Sequence, residues 1–365
     1  MASSAASVRS TSILSPIVDF LCVGGLSIIL FVPLLLSGQD ITWVTIGAIA
    51  WVQLVVNYAH FMASYRIVYR NKETMLKHKW ATIGVPLIMV ACLLYALFEV
   101  RQGSQMMLVI FFAVASAYLA WHYTGQAWGM MVTFAHLNGM RHDRVEYWLI
   151  RGGLRILLAW HVMWFLRTTL KNPETVEAIY QFVSWLTIAA LFMGIAGLIH
   201  MRLRTGKNPP FRGVVAWAAI FVWYALIAKY GLTGLFLVQL AHALQYLEFP
   251  VRLEVNRAAK QQMRTQATQV ALYAIGLLAA TMLITTFVPG PTQAVAATLL
   301  GAGPDSVAPV LISYFISIHH FFTDGVIWKL RNPDVQEELF AHARPVAATA
   351  PVPPLWWEKR FWIRK

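Results

Sequence analysis

From residue 17 onward the chain alternates between apolar stretches of about 20 residues and short polar breaks. A run of that length matches the roughly 30 Å hydrocarbon core of a bilayer when it is helical. Ten runs can be drawn, at 17–36, 42–64, 81–100, 106–128, 148–167, 177–199, 213–230, 232–250, 269–289 and 307–328. They predict an all-α integral membrane protein with about ten transmembrane helices and no soluble domain. The fifth run is the weakest of the ten, because it carries Arg151 and Arg155. The alternating ten-residue segments of a transmembrane β-barrel do not occur. Residues 1–16 form a short lead-in, 17–328 the transmembrane domain and 329–365 a basic tail rich in Pro and Trp.

Composition agrees with this division. Hydrophobic residues make up 58% of the chain and charged residues 12%, against about a quarter charged in soluble domains. The net charge of +13 would raise nucleic-acid binding in a soluble protein. Here its distribution reports topology, because Lys and Arg collect in cytoplasmic loops, and no nucleic-acid partner is implied. The cations fall after the second, fourth, sixth, eighth and tenth runs and in both terminal segments. The opposite loops hold only Arg101, Arg167, Lys171 and Lys229. That asymmetry predicts an even number of spans with both termini cytoplasmic, in a bacterial-type inner membrane. The lead-in has one Arg and no small-residue cleavage site, so it reads as cytoplasmic chain and not as a cleaved signal. Cys22 and Cys92 sit within apolar runs and read as packing residues. Trp356, Trp357, Phe361 and Trp362 lie among cations in the tail, which suits docking at lipid headgroups; a disordered tail is the alternative.

Polar groups inside the apolar runs carry the functional signal, since ionisable side chains are expensive in hydrocarbon. The second run has Asn57 and His60, the fourth His122 and Gln126, the eighth His242, Gln245 and Glu248, the tenth His319, His320 and Asp324. All four are even-numbered and run toward the cytoplasm. His60 lies six residues before Arg66, His242 ten before Arg252 and His320 nine before Lys329. At the helical rise these rings sit roughly 9–15 Å inside their cytoplasmic charges. One shared layer is predicted, nearer the cytoplasmic face than the midplane. His122 is placed less well, because its helix runs on before Arg141.

Helical spacing supplies partners. His320 and Asp324 are i, i+4 and share a face; Asp324 is either a ligand or the carboxylate that orients one. His122 with Gln126 and His60 with Ser64 repeat the spacing, and His242 has Gln245 and Tyr246 one turn on. A lone intramembrane His is more often an interhelical hydrogen bond. Four at one depth, one doubled and paired with Asp, point to a shared site. His60, His122, His242 and His320 are the expected metal ligands, with His319 as the alternate. Tyr123, Gln126 and Tyr246 are expected to shape the pocket, and His161 on the fifth run is a candidate to enter it. His78, His136, His142, His200 and His342 lie at run ends or in loops and read as solvated.

Imidazole-rich sites suit Fe, Cu, Zn and Ni. Neutral His ligands with open positions and a nearby carboxylate fit O2 activation by non-haem iron, and the membrane setting implies an apolar small-molecule substrate entering from the lipid bilayer. The clustered HxxxH and HxxHH boxes of membrane desaturases and alkane hydroxylases are absent; "HH" at 319–320 is the one close pair. The distribution of His60, His122, His242 and His319/His320 over separate spans resembles the Brp/Blh-type membrane carotenoid dioxygenases. The resemblance covers the plan and no continuous motif. It implies a mononuclear iron held by those histidines, supported by Asp324. Two other readings stand beside it. One is a haem- or pigment-ligating subunit of a respiratory or photosynthetic complex. The other is a transporter with a protonatable His/Asp site. In either the oxygenase or the subunit reading, the basic cytoplasmic face would receive an electron donor or complex partner.

Overall fold

The apolar runs become helices, and among the described residues no other kind of element occurs. The computed structural model describes residues 10–41, 52–70, 72–104, 106–169, 174–261, 266–287, 307–328 and 333–343. Positions 42–51 of the second expected run, residues 1–9 and the Trp-rich tail lie outside the described residues. The helices are α1 (Pro16–Ser37), α2 (Ala59–Val68), α3 (Lys72–Lys77), α4 (Trp80–Val100), α5 (Met106–Leu137), α6 (Arg144–Thr169), α7 (Glu174–Thr205), α8 (Phe211–Gln261), α9 (Gln266–Phe287), α10 (Val307–Ile327) and α11 (Pro333–Leu339). Seven of them are long and apolar enough to cross a membrane: α1, α4, α5, α6, α7, α8 and α9.

α8 explains why two expected runs lie in one element. Its 51 residues would reach roughly 75 Å if straight. Instead the chain reverses at Gly231, with φ 58° and ψ −130°. A side chain on Gly234 would collide with the Leu226 carbonyl, a group about 12 Å away along a straight helix. The two arms, 211–230 and 232–261, are therefore antiparallel. Arg212 and Arg252, at opposite ends of the sequence of α8, both bind the segment before α1: Arg212 donates to the Thr11 carbonyl and Arg252 to that of Ile13. The expected break between 230 and 232 falls on the one residue that can adopt this conformation without a Cβ penalty.

α1 packs between these arms, and two buried polar devices hold it. Asp19 is fully buried and accepts the backbone N–H groups of Ile13 and Leu14 at 2.8 Å and Ser15 at 3.1 Å, with the Arg212 guanidinium at 3.2 Å. At Leu21–Gly25 the helix widens into a π turn around Gly24, whose φ is 137°. Gly24 meets α8 so closely that a Cβ would strike that of Ala219. The distorted turn leaves the Val23 carbonyl to Gln245, which donates to it at 2.6 Å, while the Trp223 indole donates to Ser27 at 2.8 Å. The core beyond is aromatic, with Trp160, Trp164, Trp223, Tyr224 and Tyr123 all buried.

The cations gather at one end. Arg66 pairs with Glu254 at 3.3 Å, Arg204 with Glu146 at 2.8 Å and Arg257 with Glu254 at 3.1 Å. Arg212, paired with Asp19, lies over the Phe134 ring near the end of α5. The opposite end carries Lys229, bonded to the Leu35 carbonyl, and the Arg167–Glu177 pair.

Candidate metal centre

Four side chains, three of them buried and His122 partly so, converge between α2, α5 and α10. One ligand atom each from His60, His122, His320 and Asp324 lies within 4.8 Å of all the others. His60 Nε2 is 2.8 Å from His320 Nε2. Asp324 Oδ2 is 3.2 Å from His320 Nε2 and 3.5 Å from His122 Nε2. Metal–nitrogen bonds of about 2.0–2.1 Å place neighbouring ligands about 3.0 Å apart at right angles and about 3.4 Å apart in a tetrahedron. The three separations, 2.8, 3.2 and 3.5 Å, lie within about 0.2 Å of that range.

Local structure aims these groups. A π turn at Gln53–Tyr58 ends just before His60, and the Asn57 carbonyl accepts a hydrogen bond from the His60 Nδ1–H at 2.9 Å. That fixes the tautomer whose Nε2 lone pair faces the centre. On α10 the i, i+4 spacing brings His320 and Asp324 onto one face. Asp324 Oδ1 is held by Ser64 at 2.7 Å and Tyr246 at 3.1 Å. Tyr246 in turn accepts from the Trp328 indole at 2.9 Å. One carboxylate oxygen is thus fixed by neutral donors while the other faces the imidazoles. His122 Nε2 and Asp324 Oδ2, 3.5 Å apart at the centre, are buried without a hydrogen-bond partner. Buried polar atoms are normally satisfied, so lone pairs converging on one point fit a cation.

The remaining expected residues divide by position. His242 lies against the cluster, its ring 4.7 Å from that of His122 and 5.2 Å from that of His60. Its nitrogens fall outside the four-atom group. They are buried and unpartnered, and Gln126 donates to its backbone carbonyl at 3.3 Å. Tyr123 packs on His242 at 4.5 Å. His319 faces elsewhere: its Nδ1 is 3.2 Å from Tyr65 Oη, and its Nε2 is 3.1 Å from the Ala81 carbonyl and 3.2 Å from Tyr69 Oη. His161 is buried in the aromatic core, 5.4 Å from Tyr224 and 6.2 Å from Tyr123. Gln245 is committed to Val23, and Glu248 is buried with Asp19 and Arg212 as its neighbouring charges.

Two features had no signal in the sequence. Trp328 reads as a membrane-interface aromatic, yet its indole supports Tyr246. Asp19 sits among apolar residues near the start of the first run and fastens the N-terminal segment. A second acidic group, Asp143, Glu146 and His200, also has ligand atoms within 4.8 Å. Arg204 already occupies it, 3.3 Å from Asp143 and 2.8 Å from Glu146, with His142 at 3.1 Å from Glu146. It is an ion-pair network at the basic end. The His142 side chain, expected to be solvated, is only 7% exposed there.

A cavity of about 560 Å³ adjoins the centre, with His122 and Asp324 in its wall and Trp121, Phe249, Phe321 and Phe322 along its sides. The cluster therefore opens onto a largely apolar chamber large enough for a small organic molecule. Compared with protein-family models, curated proteins and solved structures, the chain matches none, so any function must be read from this site.

Proposed function

We propose that His60, His122, His320 and Asp324 bind one non-haem iron, and that the protein is a membrane-embedded oxygenase or related oxidoreductase acting on an apolar lipid or isoprenoid. The carrying observation is the convergence of three imidazole nitrogens and one carboxylate oxygen within 4.8 Å, buried beside an apolar cavity. Histidine with carboxylate, leaving open positions, is a ligand set suited to non-haem iron. Iron bound there would supply O2 activation, with electrons from a donor at the basic face. The chain's own groups do the rest. Asn57 sets the tautomer of His60, and Ser64 and Tyr246 hold Asp324 in place. His242 and Tyr123 pack beside the imidazoles, outside the residues that line the cavity. In this reading ten helices span an inner membrane, both termini are cytoplasmic, and the substrate enters sideways from lipid.

A haem held by His60 and His320 fits poorly. Two axial nitrogens stand about 4 Å apart across an iron, given bonds of about 2.0 Å, whereas these are 2.8 Å apart. Elemental analysis together with an optical spectrum of the purified protein tests the proposal. The expected result is close to one iron per chain with no Soret band, and loss of that iron on His320→Ala. A freshly prepared protein free of metal, or one with a haem spectrum, would overturn it.

A further inference from the structure

One charge near the centre has no counter-charge among the described residues. Among the described residues that line the cavity, Arg151 is the only cation and Asp324 the only carboxylate. Arg151 lies within α6, a helix long and apolar enough to span a membrane. Its Nη1 donates to the Tyr147 hydroxyl at 3.2 Å, and the guanidinium packs over the same ring at 5.1 Å. Arg155 shares that hydroxyl at 3.3 Å. Among the described residues no carboxylate pairs with Arg151. A guanidinium has five donors; here one goes to the Tyr147 hydroxyl, and a charge in a helix of span length is costly without a counter-charge. The position therefore favours an anion brought by something else.

The cavity describes the body that carries this anion. Along α5 its floor is made by Gly125 and Gly129, one helical turn apart. A Cβ on Gly129 would meet open space, so a larger side chain there would project into the groove. Its sides are the aromatic residues Trp121, Phe249, Phe321 and Phe322. Four buried polar atoms of its lining residues lack partners: His122 Nε2 and Asp324 Oδ2 at the proposed iron, and Gln126 Oε1 and Thr133 Oγ1 further along α5. The Arg151 partner Tyr147 packs on Trp128 at 5.8 Å, six residues along α5 from His122, or roughly 9 Å. These steps connect the charge to the proposed reaction centre over about 20 Å.

We infer that the cavity holds a single-chain amphiphile, with an anionic headgroup, carboxylate or phosphate, paired to Arg151 and an apolar chain lying over Gly125 and Gly129 toward His122 and Asp324. This rests on the proposed function for where the chemistry occurs, but the binding can be tested without it.

The experiment is displacement of the fluorescent fatty acid cis-parinarate from the full-length protein in nanodiscs of neutral lipid. The competitors are oleate, oleyl phosphate and methyl oleate, and iron content is measured on the same samples. In the wild-type protein at least one anionic competitor is expected to displace the probe at roughly tenfold lower concentration than the ester, as for a charge-assisted bidentate pair. Preference for oleate identifies a carboxylate headgroup, and preference for oleyl phosphate a phosphate. Arg151→Gln should erase the preference without changing iron content. Gly129→Leu should weaken all three competitors about tenfold by filling the groove. Equal displacement by ester and anions in the wild-type protein, or no displacement by any of them, overturns the inference even if Arg151→Gln fails to fold. A persisting anion preference in metal-free protein would uphold this inference while removing the iron reading, and iron without the preference would do the reverse.

Discussion

Asp324→Asn separates a metal centre from a hydrogen-bonded polar cluster, because the two give opposite signs. The substitution keeps shape and keeps Oδ1 as the acceptor for Ser64 and Tyr246, at 2.7 and 3.1 Å. It replaces Oδ2 with an amide that points N–H groups at His320 and His122, whose Nε2 atoms are 3.2 and 3.5 Å from Oδ2. With iron bound, the change removes an anion from beside the cation and turns donors toward it. Even as a supporting group only, the carboxylate is worth about 10–100-fold in affinity, or roughly 1.4–2.7 kcal/mol; as a direct ligand it is worth more. By linkage, at free iron well above the dissociation constant, the variant loses the same roughly 1.4–2.7 kcal/mol of stability. Without any cation the amide would donate to an unpartnered imidazole nitrogen and would remove a buried charge, stabilising the fold by roughly 1 kcal/mol. The assay is iron competition against a chelator, combined with thermal unfolding at fixed free iron. Unchanged iron affinity with a raised melting temperature would refute the metal reading of Asp324.

His319→Ala is expected to leave iron content unchanged and to cost about 1–3 kcal/mol, because it strips partners from Tyr65, Tyr69 and the Ala81 carbonyl; His320→Ala should do the reverse, losing iron, and elemental analysis of the pair decides. Tyr246→Phe deletes the donor to Asp324 Oδ1 and the acceptor of the Trp328 indole, so chelator competition should show iron held up to about tenfold less tightly with helicity by circular dichroism unchanged. Gly24→Ala should lower stability by roughly 2–4 kcal/mol, combining a left-handed φ of 137° with a collision against Ala219; an unaltered unfolding temperature would mean that α1 does not pack on α8 as described.

The helical class was legible in the sequence because each span must satisfy its backbone internally and bury about 20 apolar residues in lipid, a local demand that every window reveals. The grouping of cations was legible for a similar reason, since charge segregates by loop. The reversal at Gly231 was anticipated as a break between two runs, and the i, i+4 pairing of His320 with Asp324 followed from one helix alone. What a single helix could not tell was which rotamers and neighbours its polar groups meet. His319 and His320 are adjacent in sequence and point about 100° apart. Only the packing of α10 against α2 turns His320 toward His60 and His319 toward Tyr65 and the Ala81 carbonyl. His242 carried the same signal as His60, yet the register of the second arm of α8 sets its nitrogens outside the four-atom group. Arg151 looked like a blemish in a weak span, and its meaning as the one cation among the described residues of a cavity lined by Gly125 and Gly129 depends on α5, α6 and α10 meeting there. Span and sidedness are properties of local composition against a uniform solvent. Ligand geometry and cavity shape belong to contacts between segments far apart in the chain, and only the tertiary structure decided them.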